Sequence, residues 1–184
     1  MKKPAKSDPK KRKGLIIVNT GDGKGKSTAS FGLALRAAGN KMNVFIMQFM
    51  KGPWKAGERK ALMALSEYVE YEAMGDGFTW DTENPEQDKK TARDAFDIAK
   101  EKLMSGKYQM VILDEINYVL DYKFFPLDDF LETLRNKPKD VHVVCSGRNA
   151  NEKLIEMADL VTEMKLIKHP YDDQGIPAQK GIEF

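Results

Sequence analysis

GLIIVNTGDGKGKSTASFGLALRAAG, residues 14–39, divides into three unlike pieces. LIIV (15–18) is short, apolar and β-branched and runs into a glycine turn, the pattern of a buried parallel strand. Glycines then crowd the chain at 21, 23 and 25, ahead of Lys26 and Ser27. From Ser27 onward, Ala29, Phe31, Leu33, Ala34 and Ala37 recur at helical spacing until Gly39 ends the segment. Strand, glycine loop and helix in this order make a phosphate cradle. Backbone N–H groups of such a loop converge on anion oxygens, and the helix turns its positive end toward them. A β-carbon there would block close approach or a left-handed dihedral. Lys26 adds a mobile positive charge, and Ser27 offers a hydroxyl suited to Mg²⁺. The usual pattern G-x-x-x-x-G-K-[ST] has glycine where this chain has Thr20, so the turn is reshaped at its start. A flexible glycine turn that happens to contain GKS is the rival reading, and the flanking strand and helix count against it.

Working outward, the same alternation continues. NVFIMQFMKG (43–52) reads as a second strand, 58–66 as a short helix and YVEYEAM (68–74) as a third strand. A longer amphipathic helix spans 85–104, opening on Asn84-Pro85. MVILDE (110–115) is a strand, followed by a helical stretch and a helix over 127–136. VHVVCSG (141–147) is a strand, 151–157 a helix and LVTEMKLI (160–167) a last strand. Strands alternating with helices predict an α/β fold, a mostly parallel sheet with helices on both faces. Ligands then belong at the carboxyl ends of the strands.

Length and composition are consistent with this. At 184 residues, 41% hydrophobic and 32% charged, the chain suits one globular domain with a real core. No apolar run approaches the about 20 residues needed to cross a bilayer, and no hydrophobic stretch near the N-terminus makes a secretory signal. The single cysteine, Cys145, excludes an internal disulfide and fits a reducing cytoplasm. Residues 1–14 hold seven Lys/Arg against Asp8, whereas the remainder carries 23 basic and 27 acidic side chains. Residues 1–13 therefore read as a basic, flexible extension to a domain over 14–184. Such a tail is either a solvated arm or a contact for a polyanion. The net acidic body argues against a broad nucleic-acid surface.

VILDE supplies the second half of a nucleotide site. A strand ending in Asp114-Glu115 sets carboxylates beside the loop, where they can hold a Mg²⁺ shell or position a reactant. Arg148 follows the strand VHVVC at the same edge and could grip phosphate or lie on the surface. Arg36, in the first helix, is either a phosphate contact or an ion-pair partner. In MGDGFTWDTEN (74–84), Phe78 and Trp80 sit in a polar, glycine-flanked loop, where exposed aromatics need something to pack on. They either close the core or meet a ligand.

Taken together, TGDGKGKSTASFGLALRAAG, QFMKG, GERKAL, GFTWDTEN, VILDEINYVLDYKFFPLDDFLETL, SGRNANEKLIEMADLVTEMKLIKHPYD and the terminal KGIEF resemble the ATP:corrinoid adenosyltransferases of the P-loop type, over nearly all of residues 14–184. The resemblance implies a RecA-like P-loop fold, a cytoplasmic homodimer, and transfer of the 5′-deoxyadenosyl group of ATP to reduced cobalt with release of triphosphate. It implies ATP as co-substrate, Mg²⁺ or Mn²⁺, a corrinoid substrate, and an electron donor such as flavodoxin or reduced flavin. It also implies that ATP lies reversed in its loop, which the turn beginning at Thr20 is consistent with. Carried over by position, Thr20, Gly21, Asp22, Gly23, Lys24, Gly25, Lys26, Ser27 and Thr28 form the triphosphate loop. Ser27, Asp114 and Glu115 serve the metal, Arg36 and Arg148 hold phosphate or ribose, and Lys26 and Glu115 take part in catalysis. Phe78 and Trp80 match the aromatic pair that presses on the lower corrin face and displaces the axial base. Two positions depart from the pattern: Asp22 replaces a frequent asparagine, and the extension before the first strand is short and lysine-rich where relatives carry a capping helix.

Competing functions share the same loop. A P-loop kinase or hydrolase would move the γ-phosphate instead. A RecA-type ATPase stimulated by nucleic acid would account for the basic tail. A non-catalytic switch would bind ATP without turnover. GFTW and the C-terminal third favour the adenosyltransferase.

Overall fold

The computed structural model describes residues 13–49, 57–73 and 85–183. Each apolar run becomes a strand: β1 (Ile16–Thr20), β2 (Val44–Gln48), β3 (Val69–Ala73), β4 (Met110–Asp114), β5 (His142–Ser146) and β6 (Leu160–Glu163). Between and after them lie α1 (Lys26–Gly39), α2 (Gly57–Met63), α3 (Pro85–Met104), α4 (Ile116–Asp121), α5 (Leu127–Arg135), α6 (Glu152–Met157) and α7 (Pro170–Gln174). The strands form one sheet in the order β3-β2-β4-β5-β1-β6. Every neighbouring pair is parallel, so the sheet is parallel throughout and not just for the most part. This is a P-loop NTPase-like fold.

Period-two alternation sends successive strand residues to opposite faces. Ile16, Val18, Phe45, Met47, Val111, Leu113, Val143 and Cys145 pack on one side with α3, α4 and α5, through Phe96, Ile116 and Phe130 among others. Ile17, Val44, Ile46, Ile112 and Val144 pack on the other with α1 and Leu62 of α2. The division has a topological cause. The chain passes α1 and α2 while moving from β1 toward the β3 edge, and α3 to α6 while moving back toward β6. Uniformly right-handed crossovers put helices on opposite faces when the direction of travel reverses. On α1, Phe31, Ala34, Ala37 and Ala38 are buried, and the small alanines let the helix lie close to the sheet.

Cys145, in the sheet's interior on β5, is wholly buried between Val18 of β1 and Leu113 of β4. β6, expected over 160–167, pairs with β1 only over 160–163, because its register partner Thr20 is where β1 gives way to the glycine loop. α7 lies beyond the expected last element and opens on Pro170, a residue that fits the first turn of a helix. No helix among the described residues is long and apolar enough to cross a membrane.

Candidate active site

The polar residues of the buried sheet collect at its carboxyl edge. Thr20, Gln48, Asp114, Ser146 and Glu163 are the last residues of β1, β2, β4, β5 and β6, and register sets Gln48 beside Asp114 and Asn19 beside Ser146. β5 stands between β1 and β4, so the glycine loop and the acidic pair come from strands that are not neighbours.

The loop is stitched to the chain following β6. Met164 N–H donates to the Thr20 carbonyl at 2.8 Å, and Gly23 N–H donates to the Met164 carbonyl at 2.6 Å. A β-carbon on Gly23 would lie 2.7 Å from that carbonyl oxygen and 2.8 Å from the Lys165 backbone, so only glycine fits. Gly25 caps α1 at φ +109°, a left-handed dihedral that side chains avoid. The helix has no side-chain cap and no acidic residue in its first turn, which leaves its positive end open to an anion. Lys26 is buried, and its Nζ donates to the Gly23 carbonyl at 2.7 Å. Burial pulls its ammonium below the ordinary value; Glu115 opposes that shift and Arg148 adds to it. Behind the loop, Asn19 Nδ2 donates to Ser30 Oγ at 3.0 Å, and Ser30 donates to the Lys26 carbonyl at 2.9 Å.

Asp114 is fully buried. Ser146 Oγ donates to its Oδ1 at 2.5 Å and Gln48 Nε2 donates to its Oδ2 at 2.9 Å. Burial raises its carboxyl, while Ser146, Gln48 and the nearby Ser27 hydroxyl pull it back. Glu115 follows in the left-handed region at φ +62°, an uncommon dihedral for this residue type. Its N–H donates to Ser146 Oγ at 3.1 Å, while its own Oε2 is buried without a hydrogen-bond partner. Burial first, then the Asp114 charge, push this carboxyl up to about 7 against the pull of Lys26 and Arg148.

Around the loop the remaining candidates are spread more widely. Asp22, Lys24 and Thr28 are exposed, Gly21 is partly so, and Thr20 Oγ1 accepts from Ala150 N–H at 3.1 Å. Arg148 Nε lies 3.9 Å from Asp22 Oδ1, a long pairing between two largely exposed side chains. Lys24 reaches Glu183 at 2.5 Å. A cleft of about 890 Å³ opens beside the loop, lined by Asp22, Arg148, Glu163, Lys165 and His169 among others. Arg36 is not brought here. It is exposed in the last turn of α1, ten residues beyond Lys26, or about 15 Å along the axis. Phe78 and Trp80 lie outside the described residues, as does the basic segment 1–12.

The sequence profile of the ATP:corrinoid adenosyltransferase family BtuR/CobO/CobP matches residues 12–184. The chain belongs to that family. It is 47% identical over 174 residues to a corrinoid adenosyltransferase of Sinorhizobium sp, covering 94% of this chain and 81% of the relative. It is 41% identical over 172 residues to a corrinoid adenosyltransferase of Escherichia coli K12, covering 94% and 86%. The corrinoid adenosyltransferase CobA of Salmonella typhimurium LT2 is 40% identical over 172 residues, with the same coverage.

In this adenosyltransferase-family chain, Gln48, Ser146 and Tyr71 join the site without having been singled out in the sequence. Tyr71 Oη donates to Gln48 Oε1 at 2.7 Å, behind the Gln48–Asp114 contact. A glutamine, a serine and an asparagine at the carboxyl ends of otherwise apolar strands were the available signal. Which of them meet depended on strand order.

Proposed function

We propose that this chain transfers the 5′-deoxyadenosyl group of ATP to the Co(I) centre of a corrinoid and releases inorganic triphosphate. The observation that carries this reading is the open cradle of Gly21–Lys26 at the positive end of α1, in a chain of this family. The cobalt lone pair attacks C5′ of ATP, the C5′–O5′ bond breaks, and its electron pair leaves on the triphosphate, so cobalt is formally oxidised from I to III. Loop amides and Lys26 hold the leaving group and stabilise the charge growing on it. Binding a triphosphate draws Lys26 Nζ from the Gly23 carbonyl to the anion. No general base is required, because the nucleophile has no proton to lose, and no histidine occupies the loop or the acidic pair. Reversed seating of ATP, with the γ-phosphate where an ordinary ATPase seats the α-phosphate, would leave C5′ facing the cleft where Arg148 can meet ribose or phosphate. Such in-line positioning alone is worth orders of magnitude in rate.

Mg²⁺ or Mn²⁺ fits the donors present. Glu115 Oε2 is a buried oxygen with no hydrogen-bond partner, and the Ser27 hydroxyl is near enough to Asp114 to draw its carboxyl down. Asp114, with both oxygens already hydrogen-bonded, acts through Ser27. Among the described residues no cluster of three or more His, Cys, Asp or Glu gathers, so Ser27 and Glu115 would hold the cation together with oxygens of the triphosphate and water. When bound, the cation supplies Lewis-acid neutralisation of the leaving triphosphate. By the family resemblance of GFTW, Phe78 and Trp80 would meet the lower corrin face and exclude the axial base, a reduced flavin or flavodoxin would deliver the electron, and two copies of the chain would form the working dimer.

Anaerobic incubation with MgATP and cob(I)alamin tests the reading. Formation of a cobalt–carbon bond with one equivalent of intact triphosphate is expected. ADP and orthophosphate with unaltered corrinoid would instead identify a kinase or hydrolase.

A further inference from the structure

Gln48 and Tyr71 form a relay whose two ends have different freedoms. A glutamine amide can turn either way round, offering its oxygen or its nitrogen to a given neighbour. Here the choice is forced from behind. Tyr71 Oη is a donor to Gln48 Oε1 at 2.7 Å, and burial together with the nearby Asp114 charge raises the phenol well above its ordinary value, so it stays neutral and keeps its proton. With its oxygen engaged, the amide must point Nε2 at Asp114 Oδ2, 2.9 Å away. Ser146 fixes Oδ1 from the other side. Asp114 is thereby held at both oxygens, with the Ser27 hydroxyl near enough to help draw its carboxyl down. A serine whose hydrogen is directed at a carboxylate keeps its lone pairs turned away from that carboxylate.

We infer that Gln48, oriented by Tyr71, is a positioning residue that acts through Asp114 to aim the Ser27 oxygen at the metal bound with the nucleotide. The inference rests on the reading of Ser27 as the metal-side hydroxyl. Neither Gln48 nor Tyr71 touches the cradle; Tyr71 is on β3, two strands from β4, and packs against Phe31 of α1 and under Arg59. Their effect is therefore specific to the cation and not to the phosphates.

Calorimetric titration of the full-length protein with ATP, in Mg²⁺ and in excess chelator, separates the two. Gln48→Leu is expected to weaken MgATP binding about tenfold, the size of one hydrogen bond to a charged group, and to change metal-free ATP binding by less than about twofold. Tyr71→Phe, which removes one hydroxyl and little volume, is expected to lose about threefold in the same Mg²⁺-dependent way. In a Ser27→Ala background Gln48→Leu should have no further effect, because the group it aims is gone. Equal weakening with and without Mg²⁺, no change in either, or an undiminished loss in the Ser27→Ala background overturns the inference. If Gln48→Leu does not fold by its melting curve, the same criteria applied to Tyr71→Phe decide. A chain that binds MgATP as described yet makes no cobalt–carbon bond would refute adenosyl transfer and leave this relay standing.

Discussion

Glu115 stands at the first residue after β4 with a left-handed backbone, a buried unpartnered oxygen and a like charge beside it. Each of these disfavours the free protein, which is the usual condition of a group built to meet something that arrives later. Its carboxyl is raised from 4.5 to about 7 in the folded chain. The folded state therefore holds a proton that the unfolded chain has already released, and stability falls as pH rises between those two values. Above about 7 the whole penalty is present. Glu115→Gln is accordingly expected to raise the melting temperature of the nucleotide-free protein at pH 8, by the equivalent of about 1–2 kcal/mol after discounting for solvent at the partly open site. At pH 5 the gain should largely disappear, and at either pH MgATP should bind less tightly. Melting curves at the two pH values, with and without MgATP, measure all three.

Among the elements, the seam between β3, α3 and the start of β4 is held by one carboxylate. Glu70 of β3 accepts from Lys102 of α3, from Lys107 at 2.9 Å and from the hydroxyl of Tyr108. The Lys102 hydrogen bond first, then those of Tyr108 and Lys107, pull its carboxyl down to about 2. A depressed carboxyl contributes stability above its unfolded value near 4.5 and loses it as pH falls toward the folded one. Because Glu70 is a third exposed, the shift translates into only about 1 kcal/mol. Urea midpoints should show Glu70→Gln less stable than the parent by that amount at pH 7, with the gap narrowing to about half or less by pH 3 and closing only toward pH 2. Most elements around this seam were legible from sequence, because β-branched runs and helical apolar spacing persist whatever their neighbours are. β6 was over-long in that reading. LVTEMKLI stays apolar enough for eight residues, but a strand lasts only as long as its partner, and β1 stops at Thr20.

Across the whole molecule the same distinction divides what could be read from what could not. GDGKGKS and VILDE each state their chemistry locally, so the cradle and the acidic pair were visible before any coordinates. Gln48 and Tyr71 became part of the site only because β2 lies between β3 and β4, an order that no local pattern encodes. Arg36 shows the converse: its charge was visible, but helix rise carries it away from its own loop. The strand order has one more effect, felt at Cys145. It is the chain's single cysteine, wholly enclosed on β5, with a thiol pushed up to about 12 by burial. A thiol reagent needs an accessible thiolate, and native Cys145 offers neither access nor charge. Labelling by an aromatic disulfide should therefore proceed only as fast as the sheet parts around β5, and saturating MgATP should slow it further by binding the closed form. The protein thus carries a built-in clock for its own opening, readable in a cuvette without an added probe site.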